Sequence, residues 1–106
     1  MMLSNIYSSI PKALPRELFE TLLQTQSFTL ERIVSKGHAT PAGEWYDQAR
    51  DEWVVLLKGS AGLRIEGEPE VITLKPGDYV HLPAQLKHRV EWTAPAEETV
   101  WLALHY

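Results

Sequence analysis

The sequence predicts an all-β sandwich or barrel. Three observations carry that expectation. Apolar residues fall in short runs with two-residue alternation, Gly- and Pro-rich turn signals recur about every 8 to 12 residues, and only one stretch has helical spacing. The chain has 106 residues, 44% hydrophobic and 23% charged, which suits a single folded domain with one core.

The helical stretch comes first. In "LPRELFETLLQTQ", Pro15 suits a first helical position, and Leu18, Phe19, Leu22 and Leu23 recur at helical spacing. Glu17 and Glu20 fall in the early turns, where the helix dipole favours them. This predicts one short helix ending near Thr25 to Ser27, inside an N-terminal arm of residues 1–29. The barrel is expected over residues 30–106. There "FTLERIVS" alternates loosely, and "GHATPAGE" has the composition of a loop. "EWVVLL" is a strand, turned by "KGSAG" into "LRIE". "GEPE" and "KPGD" bracket "VITL", and "YVHL", "HRVEW" and "TVWLALHY" complete the set.

Composition removes several function classes. The net charge is -4 with no basic stripe, so nucleic acid is not an expected partner. With no cysteine, neither disulfides nor thiolate metal sites can form. The N-terminus, "MMLSNIYSSIPKALPREL", has neither the pattern of a signal peptide nor a membrane span, so a soluble, cytoplasmic protein is expected. Residues 53–57 and 100–104 are apolar on both strand faces. An outer sheet face of that kind needs cover from the N-terminal helix or from a second subunit, and a homodimer is expected.

Spacing adds a resemblance. The second half reads "PGDYVHLPAQLKHRVEW", with Gly77, Pro83 and His88 in step, and the first half sets Glu52 six residues ahead of Gly59. This is similar to the cupin superfamily, whose motifs are G(X)5HXH(X)3-4E(X)6G and G(X)5PXG(X)2H(X)3N. With a four-residue gap before Glu52, the HXH positions hold Trp45 and Asp47; with a three-residue gap they hold Tyr46 and Gln48. Gln85 and Trp92 stand where the second motif has Gly and Asn. The run from Ser35 to Gly59, "HRVEWTAP" and the terminal "WLALHY" also look like small single-domain bacterial cupins. The resemblance implies a double-stranded β-helix, or jelly-roll barrel, with one divalent metal at its mouth.

That resemblance implies a site. The family pattern turns the faces bearing Glu52 and His88 into the barrel, where a carboxylate is costly unless paired or metal-bound. Asp47, Glu52, His88 and possible loop donor His38 are the expected metal ligands, with Glu52 doubling as acid/base. One or two imidazoles with two carboxylates lean to Mn²⁺, Fe²⁺ or Zn²⁺. The competing reading of Glu52 is an ion pair with Arg50 or Lys87. Trp45, Tyr46, Gln48 and Trp92 are the expected pocket lining for a small organic ligand. Glu44 and Asp51 read as solvated turn residues, and His81 and His105 as structural. Ser35 and Ser60 lack a His/Asp setting for nucleophilic catalysis, and there is no phosphate loop. A metal-dependent enzyme acting on a sugar, organic acid or ring compound is the leading reading. A non-catalytic small-molecule module is the rival, and a purely structural dimer the third.

Overall fold

The computed structural model describes all 106 residues. Eight strands form: β1 (Leu18–Gln24), β2 (Thr29–Ser35), β3 (Glu52–Lys58), β4 (Ala61–Ile65), β5 (Ile72–Leu74), β6 (Tyr79–Leu82), β7 (His88–Thr93) and β8 (Thr99–His105). They make two antiparallel sheets, one of five strands ordered β1-β2-β8-β3-β6 and one of three ordered β5-β4-β7. No helix of the chain is long and apolar enough to cross a membrane.

Alternation decides what lies between the sheets. On β3, Glu52, Val54 and Leu56 are buried, while Trp53, Val55 and Leu57 lie on the outer face and are half-buried. The core joins Val54, Leu56, Trp101 and Ala103 from the larger sheet to Ala61, Leu63 and Leu74 from the smaller. Burying a Leu or Val side chain of this kind contributes about 1.5–3 kcal/mol.

The expected helix is a correction: residues 18–24 form β1 and pair antiparallel with β2, from Leu18 opposite Val34 to Gln24 opposite Thr29. A helix of this length is marginal by itself, whereas the free edge of β2 offers a ready ladder of backbone donors and acceptors. A tight turn sets the hairpin, with the Thr25 amide donating to the Phe28 carbonyl (2.9 Å) and the Thr25 hydroxyl accepting from the Ser27 and Phe28 amides. A register shift between Thr21 and Leu23 absorbs Leu22 as the extra residue. The helical spacing of the leucines is a by-product of that bulge.

The N-terminal arm lies on the outer face of the larger sheet. The buried guanidinium of Arg32 fastens it, donating to the carbonyls of Ile6 (3.0 Å) and Ser8 (2.6 Å) while pairing with Glu20. The arm thus supplies part of the cover that the two-faced apolar strands require. Tyr7 reaches the carbonyl of Leu57 at 3.5 Å.

Gly59 turns β3 into β4 at φ +88°, and a Cβ there would sit 2.7 Å from the Thr99 Cα and 2.9 Å from the Glu98 carbonyl oxygen. Gly67 has a similar φ of +90° but open space around it. Gly67→Ala should therefore cost only backbone strain, about 1 kcal/mol, and Gly59→Ala about 3 kcal/mol because backbone must also move. Urea midpoints of the two variants measure this; equal losses would show that the close approach at Gly59 has no consequence.

Candidate functional site

Glu52 opens β3 and His88 opens β7, so the two sheets each contribute one of these side chains to the same end of the barrel. Their residues are 7% and 6% exposed, and Glu52 Oε1 lies 3.6 Å from His88 Nε2. The other imidazole nitrogen, Nδ1, is 3.0 Å from the Leu86 carbonyl. A carbonyl only accepts, so Nδ1 carries a proton and Nε2 is the nitrogen that faces the carboxylate.

Residues 46 and 48 complete this end. Tyr46 forms an isolated bridge with His88, exchanging amide-to-carbonyl bonds of 2.7 and 3.1 Å, and its ring stacks on the imidazole at 5.5 Å. Gln48 donates its side-chain amide to Glu52 Oε1 at 2.7 Å, the only role left to it beside an acceptor-only carboxylate. The three-residue gap is therefore the one realised, and Tyr46 and Gln48 hold the positions of the HXH pair.

These groups line a cavity of about 110 Å³. Its walls include Phe19, Ile33, Val54, Leu63, Leu82, Val90 and Trp101, with Glu17, Glu31 and His105 adding polar groups. His105 faces inward from the end of β8, directly across the ladder from Glu52. Its Nε2 lies 2.8 Å from Glu31 Oε1 on β2. The cavity thus holds two carboxylate–imidazole pairs side by side.

Electrostatics follow from burial and partners. Burial pushes the Glu52 carboxyl up, but His88, the Gln48 amide and the field of His105 outweigh it and hold the group below its ordinary 4.5. Burial pushes His88 down, but Glu52 and the Leu86 carbonyl outweigh it and hold the imidazole above its ordinary 6.5. Burial, then the nearby charge of Glu17, keeps the Tyr46 phenol raised and therefore neutral at physiological pH.

Glu52, His88, Tyr46 and Gln48 are brought together, while the remaining sequence candidates lie elsewhere. Asp47 is exposed and does not line the cavity. His38 folds back on its own loop, its Nδ1 accepting from the Lys36 amide at 2.9 Å. Trp45 lies outside the cavity, with the Arg89 guanidinium 6.0 Å from its ring centroid. Trp92 is also outside. The register passes from Leu63 opposite Val90 to Gly62 opposite Trp92, so Glu91 is an extra residue on β7 and the alternation inverts beyond it. Trp92 then packs over Gly62, where a Cβ would collide with the indole.

His105, Glu31 and Glu17 were missed as site residues. For His105 the signal existed: in "WLALH" it shares strand parity with Trp101 and Ala103. Arg50 and Lys87 are not the partners of Glu52; Arg50 donates to the Thr29 hydroxyl at 3.1 Å.

A divalent ion at the family's position needs several lone pairs converging on one point. Here the HXH positions hold a neutral phenol and an amide whose N–H faces the carboxylate, and Nε2 of His88 stands 3.6 Å from Glu52 Oε1. No three His, Asp or Glu side chains are grouped so as to hold a metal ion. The donor set does not fit the family's metal centre.

Comparison with known proteins agrees with this architecture. The Cupin domain family model matches residues 32–105. A solved structure of a candidate mannose-6-phosphate isomerase from Ralstonia eutropha JMP134 is 44% identical, with 99% of this chain and 97% of that one covered and a TM-score of 0.95. A cupin superfamily protein from Desulfitobacterium hafniense DCB-2 is 18% identical over 91% of this chain and 82% of its own, with a TM-score of 0.73. The polyketide cyclase RemF of Streptomyces resistomycificus is 20% identical over 84% of this chain and 63% of its own, with a TM-score of 0.70. No curated protein matches.

The opposed shifts of the central pair fix the sign of its pH dependence. Glu52 stabilises the fold above its unfolded value of 4.5 and loses that contribution as pH falls through its lowered value. His88 stabilises below 6.5 and loses its contribution as pH rises through its raised value. The full effect therefore lies between pH 4.5 and 6.5. Urea unfolding of wild type and Glu52→Gln should differ most in that window and converge as pH falls below it or rises above it. His88→Ala, which strands a buried carboxylate, should cost about 3 kcal/mol within it. A wild-type-to-Gln difference that stays flat with pH would show that the pair is not an ion pair.

Proposed function

The chain belongs to the cupin family, and we propose that it is a small-molecule cupin that moves protons with Glu52 and His88 rather than with a bound metal. The observation that carries this reading is the buried Glu52–His88 contact of 3.6 Å, backed by Gln48 and the Leu86 carbonyl, in an apolar-walled cavity. The sheets hold both groups rigidly, and each is biased towards its role. Glu52, held below its ordinary value, serves as the base, and His88, held above its own, serves as the acid through Nε2.

On a small carbonyl compound, Glu52 would accept the proton from the carbon next to the carbonyl. His88 would give its Nε2 proton to the carbonyl oxygen, so that an enol forms with no net charge change. The pair would then hold a neutral carboxyl beside a neutral imidazole. Proton transfer across the same contact restores the starting state without any outside base. The neutral Tyr46 phenol adds a hydrogen-bond donor beside His88.

The size of the site bounds the substrate. A cavity of about 110 Å³ is smaller than the ~150 Å³ apolar cavity that holds a benzene ring, so only a compact molecule or one end of a longer one enters. The outer face of the larger sheet supports a further proposal, a homodimer, since Tyr79 is 65% exposed against Trp53 at a ring separation of 5.3 Å. Light scattering should then give twice the chain mass.

Hydroxyacetone in D₂O tests the chemistry. Wild-type protein should speed deuterium entry at its carbon acid sites, with a loss of about 100-fold in Glu52→Gln and no change on adding chelator. Equal exchange by wild type and variant would reduce the site to a binding module. Loss of exchange to chelator would return the chemistry to a metal.

A further inference from the structure

The cavity is acidic for its size. Glu17, Glu31 and Glu52 line it, opposed by the imidazoles of His88 and His105, and no Lys or Arg joins them. Three carboxylates exceed two imidazoles, so the wall keeps a net negative charge even with both rings protonated. A cavity of this polarity repels a phosphate or carboxylate ligand, and its low-dielectric apolar walls strengthen that repulsion. Arg50 stands outside, in an adjoining outer recess that shares Glu31, Gln48 and His105 with the cavity.

The aromatic lining points to an occupant. Phe19, Tyr46 and Trp101 give the cavity three aromatic walls. Aromatic faces combined with carboxylates are the chemistry that attracts an organic ammonium group, through the ring quadrupole and through charge.

We propose that this cavity selects a small organic cation, such as an ammonium alcohol or amino ketone, and disfavours anions. The proposal names the substrate class for the site whose proton chemistry is described above, and it rests on that site being the binding site. It does not depend on the proton transfer itself. Glu17 and Glu31 supply the charge recognition, each fixed by a partner: Ser35 donates to Glu17 at 2.6 Å, and His105 holds Glu31.

Isothermal titration with three probes tests it: choline, its neutral isostere 3,3-dimethylbutan-1-ol, and mannose 6-phosphate as the anion. Choline should bind about tenfold or more tightly than the isostere, and mannose 6-phosphate should not bind in the cavity. Glu17→Gln and Glu31→Gln should each weaken choline and leave the isostere unchanged. Equal affinity for choline and the isostere, no choline binding, or mannose 6-phosphate that competes with choline would each overturn the proposal. The deuterium-exchange result stands apart from all of these outcomes, so a failure here leaves the Glu52–His88 chemistry to its own test.

Discussion

The structure at the open end depends on one contact, the pairing of Glu52 with His88. The two residues belong to different sheets, so the contact joins β3 to β7 where no backbone ladder crosses between them. The start of β7 and the residues just before it fix the loop of residues 36–51 beside this contact. Tyr46 is tied to the His88 backbone, and the Gln48 carbonyl accepts from the Gln85 amide at 2.7 Å. Arg89, the neighbour of His88, holds the carbonyls of Thr40 (2.9 Å), Pro41 (3.1 Å) and Glu44 (3.0 Å). One end of β7 thereby orders the loop that brings Tyr46 and Gln48 to the cavity.

The buried charge is tolerated because each acidic group has its own donor. Glu52 receives Gln48 and faces His88, Glu31 faces His105, and Glu17 accepts from Ser35. Glu52 and His105 are directly opposite on neighbouring strands, so acid and imidazole alternate across β2, β8, β3 and β7. An acid therefore meets an imidazole at each step. This arrangement explains how a cavity with so many polar groups coexists with walls of Val54, Leu63 and Leu82.

Much of this was legible in the chain itself. Period-two alternation and turn residues gave the barrel strands β2 to β8, and the spacing of Glu52, Gly59, Gly77, Pro83 and His88 located the pair. What failed had specific physical causes. Residues 18–24 carry a helical pattern, and only the open edge of β2, a tertiary feature, makes them a strand. Trp92 follows the parity of His88 and Val90 in the sequence, but a single bulged residue, Glu91, reverses it. The choice between Trp45 with Asp47 and Tyr46 with Gln48 was a one-residue ambiguity in a loop, where no alternation exists to resolve it. Glu31 and His105 lie 74 positions apart, so their pairing is visible only when β2 lies beside β8.

The same barrel position can serve two opposed kinds of chemistry, and the identity of two side chains decides between them. A metal centre requires every surrounding group to offer a lone pair to a common point, so an imidazole, a carboxylate and a second imidazole all act as acceptors. Replacing the imidazoles by a phenol and an amide reverses that polarity. Gln48 donates to the carboxylate instead of competing with it, and His88, with Nδ1–H fixed on a carbonyl, turns its remaining nitrogen to the same oxygen. Glu52 then has its negative charge matched by protons in place of a cation. Protons held in this way can be exchanged with a guest, and that is the property the proposed proton transfer would use.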